Sequence, residues 1–265
     1  MTNSYSLFAA GLLAAAVMCC IGARRAAAQL VPSMIGDRPG QVESMTTPET
    51  IQLESGVSYE SRRSAVPVKE CGRSWVAGTL LRSGMLHEAE LRIGFEYANE
   101  TSRVSSEINR DHGLRNLSIG TKVRLLDPTA GTPALYLFAN AHMPFGQDDY
   151  RPDAIIPGMR LQMDCPFFDE AAMLSCSLGG EWRVGSYDMI SGYTTTLAVP
   201  LASGLSMFGD LSGQFTLDDS PLHVCDLGVA YAVREFLVLD FAGGIGLTPN
   251  ASDYFFSGGI CCHLP

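Results

Sequence analysis

From residue 50 onward, apolar and polar residues alternate in runs of about ten, each bounded by Gly, Pro, Asn or Asp, as in strands with one apolar and one polar face. In residues 50–60, Ile51, Leu53, Val57 and Tyr59 share one face, while Gln52, Glu54, Ser58 and Glu60 share the other. In residues 87–98, Ala89, Leu91, Ile93, Phe95 and Tyr97 oppose Glu88, Glu90, Arg92, Gly94 and Glu96. The same period recurs in 115–126, where Leu117, Ile119, Val123 and Leu125 alternate with Asn116, Ser118, Lys122 and Arg124. It returns in 205–215, with Leu205, Met207, Leu211 and Phe215 against Ser206, Phe208, Asp210, Ser212 and Gln214. No helical stripe of comparable length competes with it. The pattern predicts strands at 50–60, 74–83, 87–98, 114–126, 133–143, 157–165, 173–184, 190–199, 204–215, 222–232, 236–247 and 253–263. That makes about twelve, an even number, as in bacterial single-chain barrels.

The connections carry a second signal. Those around Gly84, 127–132, 200–203 and Arg234 are short, whereas 61–73, 99–113 and 144–156 are long and polar. Short periplasmic turns alternating with longer outer loops are the habit of membrane barrels. The expected fold is therefore all-β: an antiparallel up-and-down transmembrane β-barrel over residues 50–265, with 29–49 as a periplasmic lead-in or plug. Lipid offers backbone N–H and C=O groups no partners, so such strands can span a membrane only as a closed sheet. Charges facing hydrocarbon would be costly. Glu90, Arg92, Glu96, Lys122, Arg124, Glu181, Arg183 and Asp210 are accordingly assigned to the lumen.

Composition agrees. Charged residues make up 17% of the 265-residue chain, against about 25% in soluble globular chains, which suits a surface in contact with lipid. The formal net charge is -10, and with no basic stripe nucleic acid is excluded as a partner. The apolar run 7–21 is too short to span a bilayer comfortably, and Ala26, Ala27 and Ala28 precede Gln29 as a small-residue cleavage site, so residues 1–28 are expected to be a signal peptide. Beyond it lie Cys71, Cys165, Cys176, Cys225, Cys261 and Cys262, in no zinc or redox spacing. Small apolar roles account for them, with Cys165 and Cys176 the candidate disulfide because they flank one turn. The five histidines are scattered, and neither HExxH nor GxSxG occurs. Neither a metal, a cofactor nor catalysis is expected.

Six stretches, "IGDRPGQVES", "TIQLESGVSYE", "LLRSGMLHEAELRIGFEY", "LRNLSIGTKVRLL", "GTPALYLFANAHMPFG" and "FAGGIGLTPNASDYFFSGGI", occur in this order and carry a resemblance that covers roughly residues 36–262. Together they resemble the family of outer-membrane proteins named after the MetA pathway of phenol degradation, whose members are labelled transporters. In that resemblance Asp37, Arg38, Pro39 and Gly40 fall on the N-terminal signature, Glu90, Leu91 and Arg92 on the third strand, Lys122 on the fourth, and Pro144 and Gly146 on the turn after the fifth. It implies an outer-membrane barrel of about twelve strands, even-numbered as usual, handling small hydrophobic or aromatic molecules. The chain ends in Cys261, Cys262, His263, Leu264 and Pro265 rather than the terminal aromatic typical of such barrels. The segment from Asp37 to Gly40 is either a local turn or a gate in which Arg38 enters the periplasmic mouth and pairs with an inward carboxylate such as Glu90. The expected function is passage of small molecules through the bacterial outer membrane; the alternative is a non-conducting structural or ligand-binding barrel of the envelope. Expected partners are outer-membrane lipids, small-molecule solutes and the barrel-assembly machinery.

Overall fold

Twelve antiparallel strands follow one another around a ring: β1 (Ile51–Ser64), β2 (Glu70–Leu86), β3 (Ala89–Val104), β4 (Glu107–Leu126), β5 (Ala134–His142), β6 (Ile156–Phe167), β7 (Ala172–Trp182), β8 (Met189–Ala202), β9 (Leu205–Phe215), β10 (Leu222–Arg234), β11 (Leu237–Gly246) and β12 (Tyr254–Leu264). The computed structural model describes residues 45–64, 70–104, 107–127, 132–148, 150–167, 172–182, 189–216 and 220–264. The segment read as a signal peptide, with Asp37, Arg38 and Arg183, lies outside them.

Closure is carried by β1, which pairs with β2 on one side (Ile51 opposite Ser83) and with β12 on the other (Ile51 opposite Leu264). No sheet edge remains, so the backbone groups of the ring satisfy one another. Period two then sorts the side chains. Leu178, Phe241 and Leu227 stand 65%, 56% and 50% exposed on the outside, whereas Glu90 and Lys122 are wholly buried on the inside. Among the described residues no helix is long and apolar enough to cross a membrane; the strands do the crossing.

The chain enters and leaves the barrel at one end, which also holds the two-residue turns 87–88, 203–204 and 235–236. Gly204 takes the left-handed conformation (φ 73°) that its turn demands. Register shifts cluster beside this end, at Gly84/Leu86, Arg124/Leu126, Pro200/Ala202 and Ala232/Arg234. Such bulges tighten the twist where strands turn back, and the last two accommodate Pro200 and the sharp entry into β11. The longest described connection, 143–155, is at the other end.

One expectation is corrected here. Residues 61–73 and 99–113, read as long polar loops, are mostly strand, because β1 to β4 run past the barrel wall as paired ribbons. The 17, 16 and 20 residues of β2, β3 and β4 far exceed the 9–11 or so needed to cross a bilayer. Beyond the lipid nothing requires one face to be apolar, so the periodic signal stops while hydrogen-bonded pairing continues.

Candidate functional site

The inside of the barrel is built in two storeys. Nearest the termini, Arg82 of β2 projects inward beside Glu54 of β1 and Glu90 of β3. Its Nη1 donates to Glu54 Oε1 at 3.0 Å, its Nε to Glu90 Oε1 at 2.9 Å and its Nη2 to Glu90 Oε2 at 2.9 Å. Arg92 Nη1 adds a bond to Glu90 Oε1 at 2.9 Å, and Gln52 Nε2 donates to Glu54 Oε1 at 2.9 Å. The fourth bond to Glu90 comes from the segment preceding β1, where the backbone N–H of Thr46 donates to Oε2 at 2.7 Å. Charges taken this far from water persist only when paired and hydrogen-bonded, and Glu54, Arg82 and Glu90 are each at most 2% exposed.

Arg38, expected to pair with an inward carboxylate such as Glu90, lies outside the described residues. A carboxylate offers about four acceptor positions, and the four bonds named above fill those of Glu90. The described part of the lead-in reaches the lumen through Met45 and Thr46. Met45 packs on Ala134, Tyr136 and Phe138 of β5, Thr46 is 1% exposed, and Pro48 bridges Gly84 of β2. Gly84 has to be glycine for this: a Cβ there would fall on the carbonyl of Thr47.

Cations of β3, β4 and β6 lie on the β5 aromatics. Lys122 Nζ is 4.2 Å from the Tyr136 ring centroid, while Arg92 and Arg160 approach the Phe138 centroid to 5.3 and 4.1 Å. These are cation–π distances, and desolvation strengthens such contacts. On β6 and β7, Asp164 accepts from Gln162 and Ser175. Across the lumen Asp210 faces Asp226 in register, with Asp240 on the next strand, all buried. Phe208 fills the space between them by lying over Gly228, directly opposite, where a Cβ would meet its ring.

Above this packed storey the barrel opens. A cavity of about 990 Å³ is lined by Glu96, Ser118, Asn140, Glu181, Thr194 and Gln214 among others, with Arg92, Phe138, Arg160 and Asp226 toward its floor. His142 Nε2 and Glu181 Oε1 are 2.8 Å apart across its wall.

Of the residues assigned to the lumen by alternation, Glu90, Arg92, Lys122 and Asp210 are buried inside the barrel and Glu96 and Glu181 line the open cavity. Arg124 has lumen parity and sits at the terminus-side rim, where its Nε is 2.7 Å from Asp127 and its Nη2 donates to the His87 carbonyl. The six described cysteines are free thiols. Cys165 faces Leu174 and Cys176 faces Met163, so the candidate disulfide partners lie diagonally on the outer wall rather than opposite each other. Tyr59, Trp75, Tyr97 and Tyr254 share that outer wall at the far end, with Tyr59 4.8 Å from Trp75 and 6.3 Å from Tyr254, centroid to centroid. This is the placement of an interfacial aromatic belt. Alternation missed Arg82, Arg160, Asp164, Asp226 and Asp240.

A closed twelve-strand barrel with an apolar wall and a charged, hollow interior defines the chain as an outer-membrane barrel of the channel architecture. Solved structures agree on the fold. An outer membrane channel from Pseudomonas putida F1 superposes with a TM-score of 0.68 at 11% identity, over 86% of this chain and 99% of that one. The NanC porin gives 0.54 at 6% identity (80% and 98%), and the translocator domain of autotransporter NalP from Neisseria meningitidis 0.53 at 10% (83% and 90%). The chain belongs to the family described as "Putative MetA-pathway of phenol degradation", whose model matches residues 36–262. No curated protein matches it.

Proposed function

We propose that this protein is a non-enzymatic channel for small solutes, entered through the open cavity and closed toward the termini by the packed layer around Glu90. The observation that supports it most is the floor of the cavity, where the Arg92 and Arg160 guanidiniums both approach the Phe138 ring. An aromatic face flanked by two cations suits small molecules with an aromatic body and a negative group, because ring contact and charge are satisfied together. The segment 45–50 acts as a plug, its backbone tied to Glu90 and its Met45 seated on β5. The outer wall meets outer-membrane lipid, and insertion relies on the barrel-assembly machinery.

Density below Arg92 favours a second reading, a barrel that never conducts. Planar-bilayer conductance and liposome swelling separate the two. Gly84→Val sets methyl groups on the Thr47 carbonyl and displaces the plug without altering an ion pair. The channel reading expects small, intermittent openings from the wild type, a severalfold higher mean conductance from Gly84→Val, and faster swelling in benzoate than in an uncharged sugar. Silence from both proteins, each folded and heat-modifiable, would establish the non-conducting barrel instead.

A further inference from the structure

The ribbons that β1 to β4 raise beyond the barrel sort their charges by face. On the outward face, in register with Tyr59, Trp75 and Tyr97, stand Arg63, Arg73, Arg103 and Arg110, with His112 beside them, all exposed. Thr101 lies between Arg73 and Arg110 across three strands, and Arg63 faces Cys71. The described acidic residues of the ribbons, Glu60, Glu100, Glu107 and Asp111, take the opposite, inward parity. Arg115, displaced at the bulge beside Glu96/Tyr97, goes inward too and lies 3.7 Å from Glu100.

Like charges gathered on one face of a sheet repel and cost stability unless an anion answers them. Here the arginines start just above the aromatic belt. Strands climb about 3.3 Å per residue and tilt about 45°, so Arg73, two residues past Trp75, sits about 5 Å above the belt. By the same measure Arg63 and Arg110 sit about 9 Å and Arg103 about 14 Å above it. A concavity of about 280 Å³ opens on this face between Ser61, Arg63, Cys71, Gly72 and Arg73. The phosphates of an outer-leaflet glycolipid occupy this depth, and guanidinium is the side chain best matched to phosphate.

We infer that the outward face of the β1 to β4 ribbons is a docking surface for a phosphorylated glycolipid of the outer leaflet, its acyl chains against the Tyr59, Trp75 and Tyr97 wall and its phosphates on Arg63, Arg73, Arg103 and Arg110. The inference rests on the outer-membrane placement and on the ribbons facing outward, and is independent of conduction.

The full-length protein, folded in neutral detergent, is titrated with bis-phosphorylated lipid A, with the same lipid dephosphorylated, and with inorganic phosphate, and bound lipid is read by native mass spectrometry. The phosphorylated lipid binds; the dephosphorylated lipid and free phosphate do so far more weakly. Changing the four arginines to glutamine weakens binding by about fivefold for each one removed. The inward control Arg62→Gln/Arg115→Gln retains wild-type binding, and all variants remain heat-modifiable. Equal binding of the dephosphorylated lipid, undiminished binding by the fourfold variant, or an equal loss in the inward control would each overturn the inference. Protease cleavage at the ribbons on intact cells separately checks which way they face, and conductance in lipid-A-free bilayers, unchanged in the fourfold variant, keeps this result apart from that of the channel reading.

Discussion

Replacing Glu90 by alanine is expected to destabilise the folded barrel by about 3–5 kcal/mol, the range for breaking a buried ion pair from one side. Its two oxygens hold Arg82, Arg92 and the Thr46 N–H together. Without them Arg82, which is wholly buried, keeps Glu54 as a carboxylate partner at 3.0 Å, and the Thr46 N–H is left inside the barrel without its acceptor. The urea midpoint in lipid vesicles, followed through Trp75 and Trp182 fluorescence, reports the loss. Glu96→Ala, which removes a carboxylate from the wall of the open cavity, should stay within about 0.5 kcal/mol of wild type. Equal midpoints for Glu90→Ala and Glu96→Ala would mean that the Glu90 cluster does not hold the mouth together.

The second large effect separates neighbouring residues of one strand. Leu211 of β9 lies between Thr195 and Cys225 on the outer wall, and Ser212 lies between Thr194 and Val224 on the inner one. An arginine on the lipid face near mid-depth costs about 2–4 kcal/mol, whereas lumen substitutions tune selectivity with little cost to the fold. Leu211→Arg should therefore lower stability by about that amount, and Ser212→Arg, opening into the cavity, should leave it almost unchanged. Similar losses for the two would contradict the assignment of faces.

Alternation, together with the turn residues that bound each run, was enough to place most of the strands, because lipid outside and water inside impose opposite chemistry on successive residues. It was weakest where that contrast is missing. On β5 the inward Ala134, Tyr136 and Phe138 are as apolar as the outward Leu135 and Leu137, so the strand was legible only as a continuous apolar run and its aromatic floor was hidden. On β2, Leu80 and Val76 share the inward parity of Arg82, which blurred the polar row to which that arginine belongs. Glu90, Lys122 and Asp210 were legible as inward charges from parity alone. Their partners were not, since the β2 to β3 register that brings Arg82 and Glu90 within reach depends on a bulge at Gly84/Leu86. Nothing periodic marks Met45 to Pro48, and their entry into the lumen follows from Gly84 and from the acceptor left on Glu90, both far along the chain.

All of this depends on which face of each strand touches lipid. Cysteines placed singly at Ser177 and Leu178 of β7, in a protein whose native cysteines are replaced, probe this with a membrane-impermeant maleimide on intact vesicles. Ser177 lines the open cavity and Leu178 is the most lipid-exposed apolar residue of its strand, 65% exposed. The cysteine at 177 should be modified and the one at 178 protected until detergent is added; modification at 178 with protection at 177 would turn the barrel inside out.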